Sequence, residues 1–156
     1  MKYLVIGGVA GGATAAARLR RMDEQANIIL VERGKYVSYA NCGLPYYIGD
    51  VIAERDKLFV QTAQGFTNRF NIDIRTEQEV TTIHPDKKQV EIKKLSDGTL
   101  YTESFDKLVL SPGAEPMRPP IPGIQNSRIM TLRNVPDTDA IKNYISQWNP
   151  KRAAII

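Results

Sequence analysis

The chain has 156 residues, with 21 Lys and Arg against 17 Asp and Glu, a net charge of +4 and 42% hydrophobic residues. This is the balance of a soluble globular domain, and no apolar run approaches the roughly 18 residues of a membrane span. The basic residues are scattered and carry no nucleic-acid motif, though the excess suits an anionic ligand.

The opening "MKYLVIGGVAGG" has too short and too glycine-rich an apolar stretch for a signal peptide and reads as mature structure. Residues 3–7, "YLVIG", predict a buried strand. "GVAGG" follows, then "ATAAARLRRM", rich in helix formers. "NIILVE", residues 27–32, predicts a second buried strand, which completes a βαβ unit with a glycine-rich first turn. "KLFVQT" suits a short extended segment, and Thr62 caps a weak helix through Phe66 and Phe70. "IDIRT" and "EVTTIH" read as strands. "KQVEIKKL" alternates, and Asp97-Gly98 signals a hairpin before "LYTESF", so residues 80–105 predict an antiparallel meander. "DKLVLSPG" predicts another buried strand ending in a Pro-Gly turn, and "PMRPPIPG" an extended connection. "PDTDAIKNYISQW" opens with capping residues and repeats Ile141, Tyr144, Ile145 and Trp148 at helical spacing.

The first turn nearly matches the dinucleotide fingerprint G-x-G-x-x-G. Gly7 holds the first position and Gly12 the third, but Val9 replaces the middle glycine that normally lets a pyrophosphate approach. Gly8 and Gly11 restore room. The helix start at Gly11 and Gly12 offers amide donors and a positive dipole end. Glu32 ends the second strand, where a carboxylate accepts hydrogen bonds from a ribose. A plain tight strand-to-helix turn is the competing reading, and these features alone leave FAD and NAD both open. Along the helix, Thr14, Arg18 and Arg21 share one stripe, read either as a solvated face or as a phosphate grip. Ala15, Leu19 and Met22 form a neighbouring stripe for the core.

Cys42 is the only cysteine, so no internal disulfide forms and a reducing cytoplasm is the expected home. It stands in "SYANCGLPYYIG", before Leu44-Pro45, which reads as a helix start. A dithiol enzyme needs a second cysteine one turn on, and that position holds Tyr47. A reactive thiol here therefore works through a mixed disulfide or a sulfenic acid. The alternative is a buried structural cysteine.

Taken together and in order, "GGVAGGATAAARLRR", "SYANCGLPYYIG", "FDKLVLSPGAEP" and "TLRNVPDTDAIK" resemble the single-cysteine branch of the pyridine nucleotide-disulfide oxidoreductases. They are most similar to coenzyme A-disulfide reductases, including forms fused to a rhodanese domain. The resemblance implies a Rossmann-like FAD-binding lobe, a parallel sheet with helices, plus the three-stranded meander. It implies FAD held by Gly7, Gly8, Val9, Ala10, Gly11 and Gly12, by Glu32 and Arg33, and by Val80, Ser111, Pro112 and Gly113. Cys42 is implied as the redox nucleophile. Thr14, Arg18, Arg21, Ser38 and Asn41 are implied to contact coenzyme A, in its disulfide or persulfide form. The family also uses a basic residue near the end of the following helix; here Phe70 stands at that position, with Arg69 adjacent.

The resemblance further implies an FAD lobe over residues 1–150, with residues 151–156, "KRAAII", opening the strand of an NAD(P)H-binding domain. On that reading the chain is an amino-terminal fragment, inactive alone, of a homodimeric cytoplasmic enzyme. The related NADH oxidases and peroxidases place a His in the glycine loop; Ala10 stands there, and the single histidine, His84, reads as structural. A non-catalytic flavin- or nucleotide-binding module is the remaining alternative.

Overall fold

The computed structural model describes residues 1–155. They divide into two compact units, Met1–Tyr39 with Phe59–Gly113, and Ala40–Leu58 with residues 114–155.

The first unit is built on a four-stranded parallel sheet of order β3-β2-β1-β7, formed by β1 (Lys2–Ile6), β2 (Asn27–Glu32), β3 (Asp73–Thr76) and β7 (Lys107–Leu110). Successive side chains of a strand point to opposite faces. Val5, Ile28 and Leu30 accordingly face α1 (Gly11–Met22) and α3 (Ala63–Phe70), packing with Ala13, Ala16, Ala17, Phe66 and Ile72. Leu4, Ile29 and Val31 face the other way, against Val90, Ile92 and Phe105 of the antiparallel sheet and its exit. That sheet is the meander of β4 (Gln78–His84), β5 (Gln89–Lys94) and β6 (Leu100–Ser104). The two central strands are thus covered on both faces, which is why they read as unbroken apolar runs.

Thr62 caps α3 by accepting from the Gly65 amide at 3.0 Å, as its sequence position predicts. The meander runs slightly wider than predicted, from Gln78 to Ser104. Other expectations are corrected. Of the expected α1 stripe, Leu19 packs against the core, but the buried face is Ala13, Ala16 and Ala17, whose small side chains bring the helix close to the sheet, while Met22 is 70% exposed. β7 is half-buried rather than buried, because it pairs only with β1 and ends the sheet. The "KLFVQT" segment begins inside a 3-10 turn, Arg55–Leu58, and only Phe59 bridges in extended form, to Tyr39.

Between the two sheets lies an ion network that local pattern does not reveal. Arg75 of β3 donates to Asp73 (2.7 Å) and Glu103 (2.6 Å), and Glu103 also accepts from the Lys2 ammonium. Tyr101 donates to Gln78 and accepts from Arg75. Burial alone pushes the Glu103 carboxyl up, but the hydrogen bonds from Lys2 and Arg75 outweigh it and hold it below the usual carboxylate range. A depressed folded-state value stabilises the fold above the unfolded value and is lost as pH falls through the folded one. Glu103→Gln is therefore expected to cost about 1–3 kcal/mol at pH 7, with the gap to the wild type closing below about pH 4. Urea unfolding at both pH values measures this; an equal gap at both removes the ionic explanation.

In the second unit, α4 (Val135–Trp148) starts with a full capping box. The Asn134 side chain accepts from the Asp137 amide at 2.9 Å, and Asp137 accepts back from the Asn134 amide. The helical spacing of residues 141–148 holds, yet the buried positions are Val135 and Thr138, and Trp148 is 65% exposed. Residues 151–155 pair with no strand among the described residues, so the strand expected at "KRAAII" is not formed there; Ile156 lies outside them.

Candidate functional site

Strand register brings the predicted cofactor residues of the first unit together. Ile6 pairs with Val31 on one side and Leu110 on the other. The next residues in each strand direction are Gly7, Glu32 and Ser111, so three predicted segments meet at the carboxyl ends of adjacent strands, where open α/β sheets bind ligands.

Two glycines are required by contact, and the first of them by conformation as well. Gly7 has φ +92°, and a β-carbon there would lie 2.0 Å from the Ser111 carbonyl oxygen. At Gly12 a β-carbon would lie 1.8 Å from the Gly7 carbonyl oxygen. Gly8 is buried beneath Leu30 and Val37, and its carbonyl accepts from the Ser38 amide at 2.9 Å. The turn thus closes with Val9 in the middle position, half-buried, and with Ala10 exposed at the N-cap of α1. The start of α1 has no side-chain cap and no acidic residue in its first turn. Its amide donors and dipole end are left for an anion.

Glu32 spans the mouth. One carboxylate oxygen accepts from the Gly8 amide and the other from the Gly34 amide, each at 2.7 Å. Every carboxylate oxygen retains a further lone pair, so hydroxyl donors remain acceptable. Arg33 pairs with Glu79 at 3.6 Å, and the Glu77 amide donates to Gly34, so the start of β4 lies against the end of β2. Val80 follows there, half-buried against the meander-side core. Ser111 reaches toward Gly11 with its hydroxyl, while Pro112 and Gly113 (φ +74°) are exposed beyond it. This glycine cradle, uncapped helix start and carboxylate fit a dinucleotide.

The predicted coenzyme A contacts fall in both units. Thr14, Arg18 and Arg21 are all exposed along one face of α1. Arg20, between them, is structural: it donates to the Phe70 and Asn71 carbonyls at the end of α3 and to Glu24. Arg18 and Arg21 have no such partners among the described residues. Phe70 packs on Phe66 at 4.9 Å, with the Arg69 guanidinium over its ring. Ser38 is half-buried at φ +49°, and its carbonyl accepts from the Val60 and Gln61 amides.

In the second unit, Cys42 sits in a 3-10 turn, Asn41–Gly43, that leads directly into α2 (Leu44–Ile48), with Pro45 in the first helical turn. Gly43 and Leu44 are buried, but Cys42 is a free, exposed thiol. The reading of a buried structural cysteine is overturned. The Asn41 side-chain oxygen is buried without a hydrogen-bond partner among the described residues. His84 hydrogen-bonds Glu91 at 3.0 Å on the outer meander, a structural contact as expected. No group of three or more metal-ligating side chains occurs among the described residues, and no described helix is long and apolar enough to cross a membrane.

The fold and glycine turn have the geometry of a dinucleotide-binding α/β domain. The family model described as pyridine nucleotide-disulphide oxidoreductase matches residues 1–156, and the chain belongs to that family. Its members are FAD- and NAD(P)H-dependent oxidoreductases. Among similar proteins, a coenzyme A disulfide reductase of Staphylococcus aureus (strain JH9) is 40% identical over 99% of this chain and 35% of its own length. The crystal structure of reduced Bacillus anthracis CoADR-RHD superposes with a TM-score of 0.93 at 56% identity, covering 96% of this chain and 27% of that one. An NAD-dependent persulfide reductase from A. fulgidus gives 0.90 at 39% identity, over 95% and 28%. The chain spans about a third of the length of the curated relatives it matches.

Proposed function

We propose that this chain forms part of a cytoplasmic, homodimeric FAD-dependent NAD(P)H:disulfide oxidoreductase that acts on coenzyme A disulfide or a coenzyme A persulfide through Cys42. The observation that carries the reading is the state of Cys42: the sole cysteine of these residues, unpaired and exposed, just before the buried Gly43 and Leu44. Gly7 to Gly12 and Glu32 would hold FAD, with Arg33, Val80, Ser111, Pro112 and Gly113 around it. When bound, the flavin supplies an electron pair drawn from NAD(P)H.

Cys42 as thiolate attacks one sulfur of the substrate disulfide. The S–S bond breaks, one coenzyme A thiolate leaves and takes up a proton, and a Cys42–coenzyme A mixed disulfide remains. Two electrons then cleave that bond, returning the Cys42 thiolate and a second coenzyme A thiolate, which takes up a proton to leave as the thiol. These 156 residues hold no second cysteine, so no disulfide forms between two cysteines within them. Thr14, Arg18, Arg21, Ser38 and Asn41 would hold coenzyme A, and two arginines on one exposed helix face suit phosphate groups.

The test is the mass of small thiol released from Cys42 by a reductant, read together with flavin absorbance of the purified protein. Release of coenzyme A from a yellow protein is the expected result. A sulfenic acid with no released thiol would favour peroxide or oxygen chemistry instead. That alternative is weakened because Ala10, rather than an imidazole, stands in the glycine loop.

A further inference from the structure

The loop that carries Cys42, Ala40–Leu58, is made of short pieces: a three-residue turn, the five-residue α2 and a four-residue turn. Helices this short have marginal stability of their own, so tertiary ties decide how firmly the loop is held. The Ala40 amide closes the loop on the Leu58 carbonyl at 2.8 Å, and Leu44 and Leu58 are buried.

Two charged ties then fasten the loop to α4. Arg55 grips Asp139 with two donors, at 2.9 and 2.7 Å. One helical turn further along α4, the Lys142 ammonium donates to the Tyr47 carbonyl at 2.9 Å and to the Asp50 carboxylate. It also lies 4.4 Å from the centre of the Tyr47 ring. Asp139 and Lys142 are three residues apart, so both address one face. Tyr47 is in α2, and its carbonyl also accepts from the Asp50 amide at 3.3 Å, so Lys142 adds a charged donor at the end of this short helix. Asp50 has a left-handed backbone, φ +59°, just past the end of α2. The α4 side is firmly set: beyond its capping box, Arg133 donates to the Ala114 carbonyl at 2.6 Å, and the buried Thr138 donates to Asn134.

We propose that Lys142 is a positioning residue for Cys42, holding α2 and the turn before it in the geometry that the thiol needs, with Arg55–Asp139 as the second anchor. The inference rests on the redox reading of Cys42, but its structural half is measured independently. The variants are Lys142→Met, which keeps the stem and removes the charge, and Asp50→Asn, since Asn tolerates the left-handed backbone. Native-state hydrogen exchange within Ala40–Leu58 is expected to accelerate about two- to fivefold in each, with β1–β3 unchanged. In the complete polypeptide that contains these residues, kcat for disulfide reduction is expected to fall by about threefold or more, with KM for the nicotinamide donor unchanged. Lys142→Arg is expected to restore both.

Unchanged exchange in both variants overturns the clasp. Faster exchange with unchanged kcat overturns the positioning role and leaves a structural tie. If Cys42→Ser retains disulfide reduction, the redox reading fails instead, and the exchange result still reports on the clasp.

Discussion

Gly7→Ala is expected to lose more than about 3 kcal/mol of stability and to abolish retention of FAD. Two effects combine at this position. A side chain at φ +92° is strained by about 1–2 kcal/mol. The added carbon also falls 2.0 Å from the Ser111 carbonyl oxygen, a backbone atom that cannot rotate away. Relief requires β1 and β7 to separate at their ends, beside the glycine turn proposed to cradle the cofactor. Gly98→Ala isolates the first effect. Its φ of +76° is similarly left-handed, but no atom lies within 4 Å of the added carbon. It is expected to cost only about 1 kcal/mol and to leave flavin binding intact. Parallel urea titrations with flavin absorbance compare them; equal losses would show that strain alone, and not closure on Ser111, sets the requirement.

The second large effect concerns chemistry rather than folding. Cys42→Ser, in the complete polypeptide that contains these residues, is expected to reduce disulfide turnover by about a thousandfold or more. A hydroxyl is a poor nucleophile at neutral pH and forms no bond to sulfur that two electrons can cleave cleanly. Stability is expected to change by less than about 0.5 kcal/mol, because the thiol is exposed and the turn is held by the buried Gly43 and Leu44 that follow it. Flavin content should match the wild type. Steady-state assays with coenzyme A disulfide read the loss, and full activity in the serine variant would refute the nucleophile assignment.

Much of the first unit was legible in the sequence because its signals are local. Apolar runs marked β1 and β2, Asp97-Gly98 marked the hairpin between β5 and β6, and Thr62 marked its helix start. The glycine spacing located the turn but not its reason. That Gly7 and Gly11 face Ser111 depends on β7 pairing with β1, which no short window contains. On α1 only Leu19 of the expected stripe meets the core, because the helix approaches the sheet mainly on alanines, whose weak hydrophobicity gives no clear periodic signal. The Arg75–Glu103 network and the Lys142–Asp50 tie were invisible for a simpler reason. Their members are scattered along the chain, and isolated charges carry no periodicity to read. Cys42 was flagged by scarcity and context, yet only the structure separated an exposed thiol from a buried one.

The meeting of Gly7 with Ser111 also bears on how this protein is made. β1 is synthesised first and β7 more than a hundred residues later, so the pairing between them has a large sequence separation. Contacts of that kind form slowly, because a long loop must be closed before they contribute. The βαβ segment can assemble early from neighbouring residues, but its nucleotide cradle lacks one wall until β7 arrives. A growing chain therefore has a shaped glycine turn well before it has a closed one, and closure of that turn belongs to the final stage of folding of this unit.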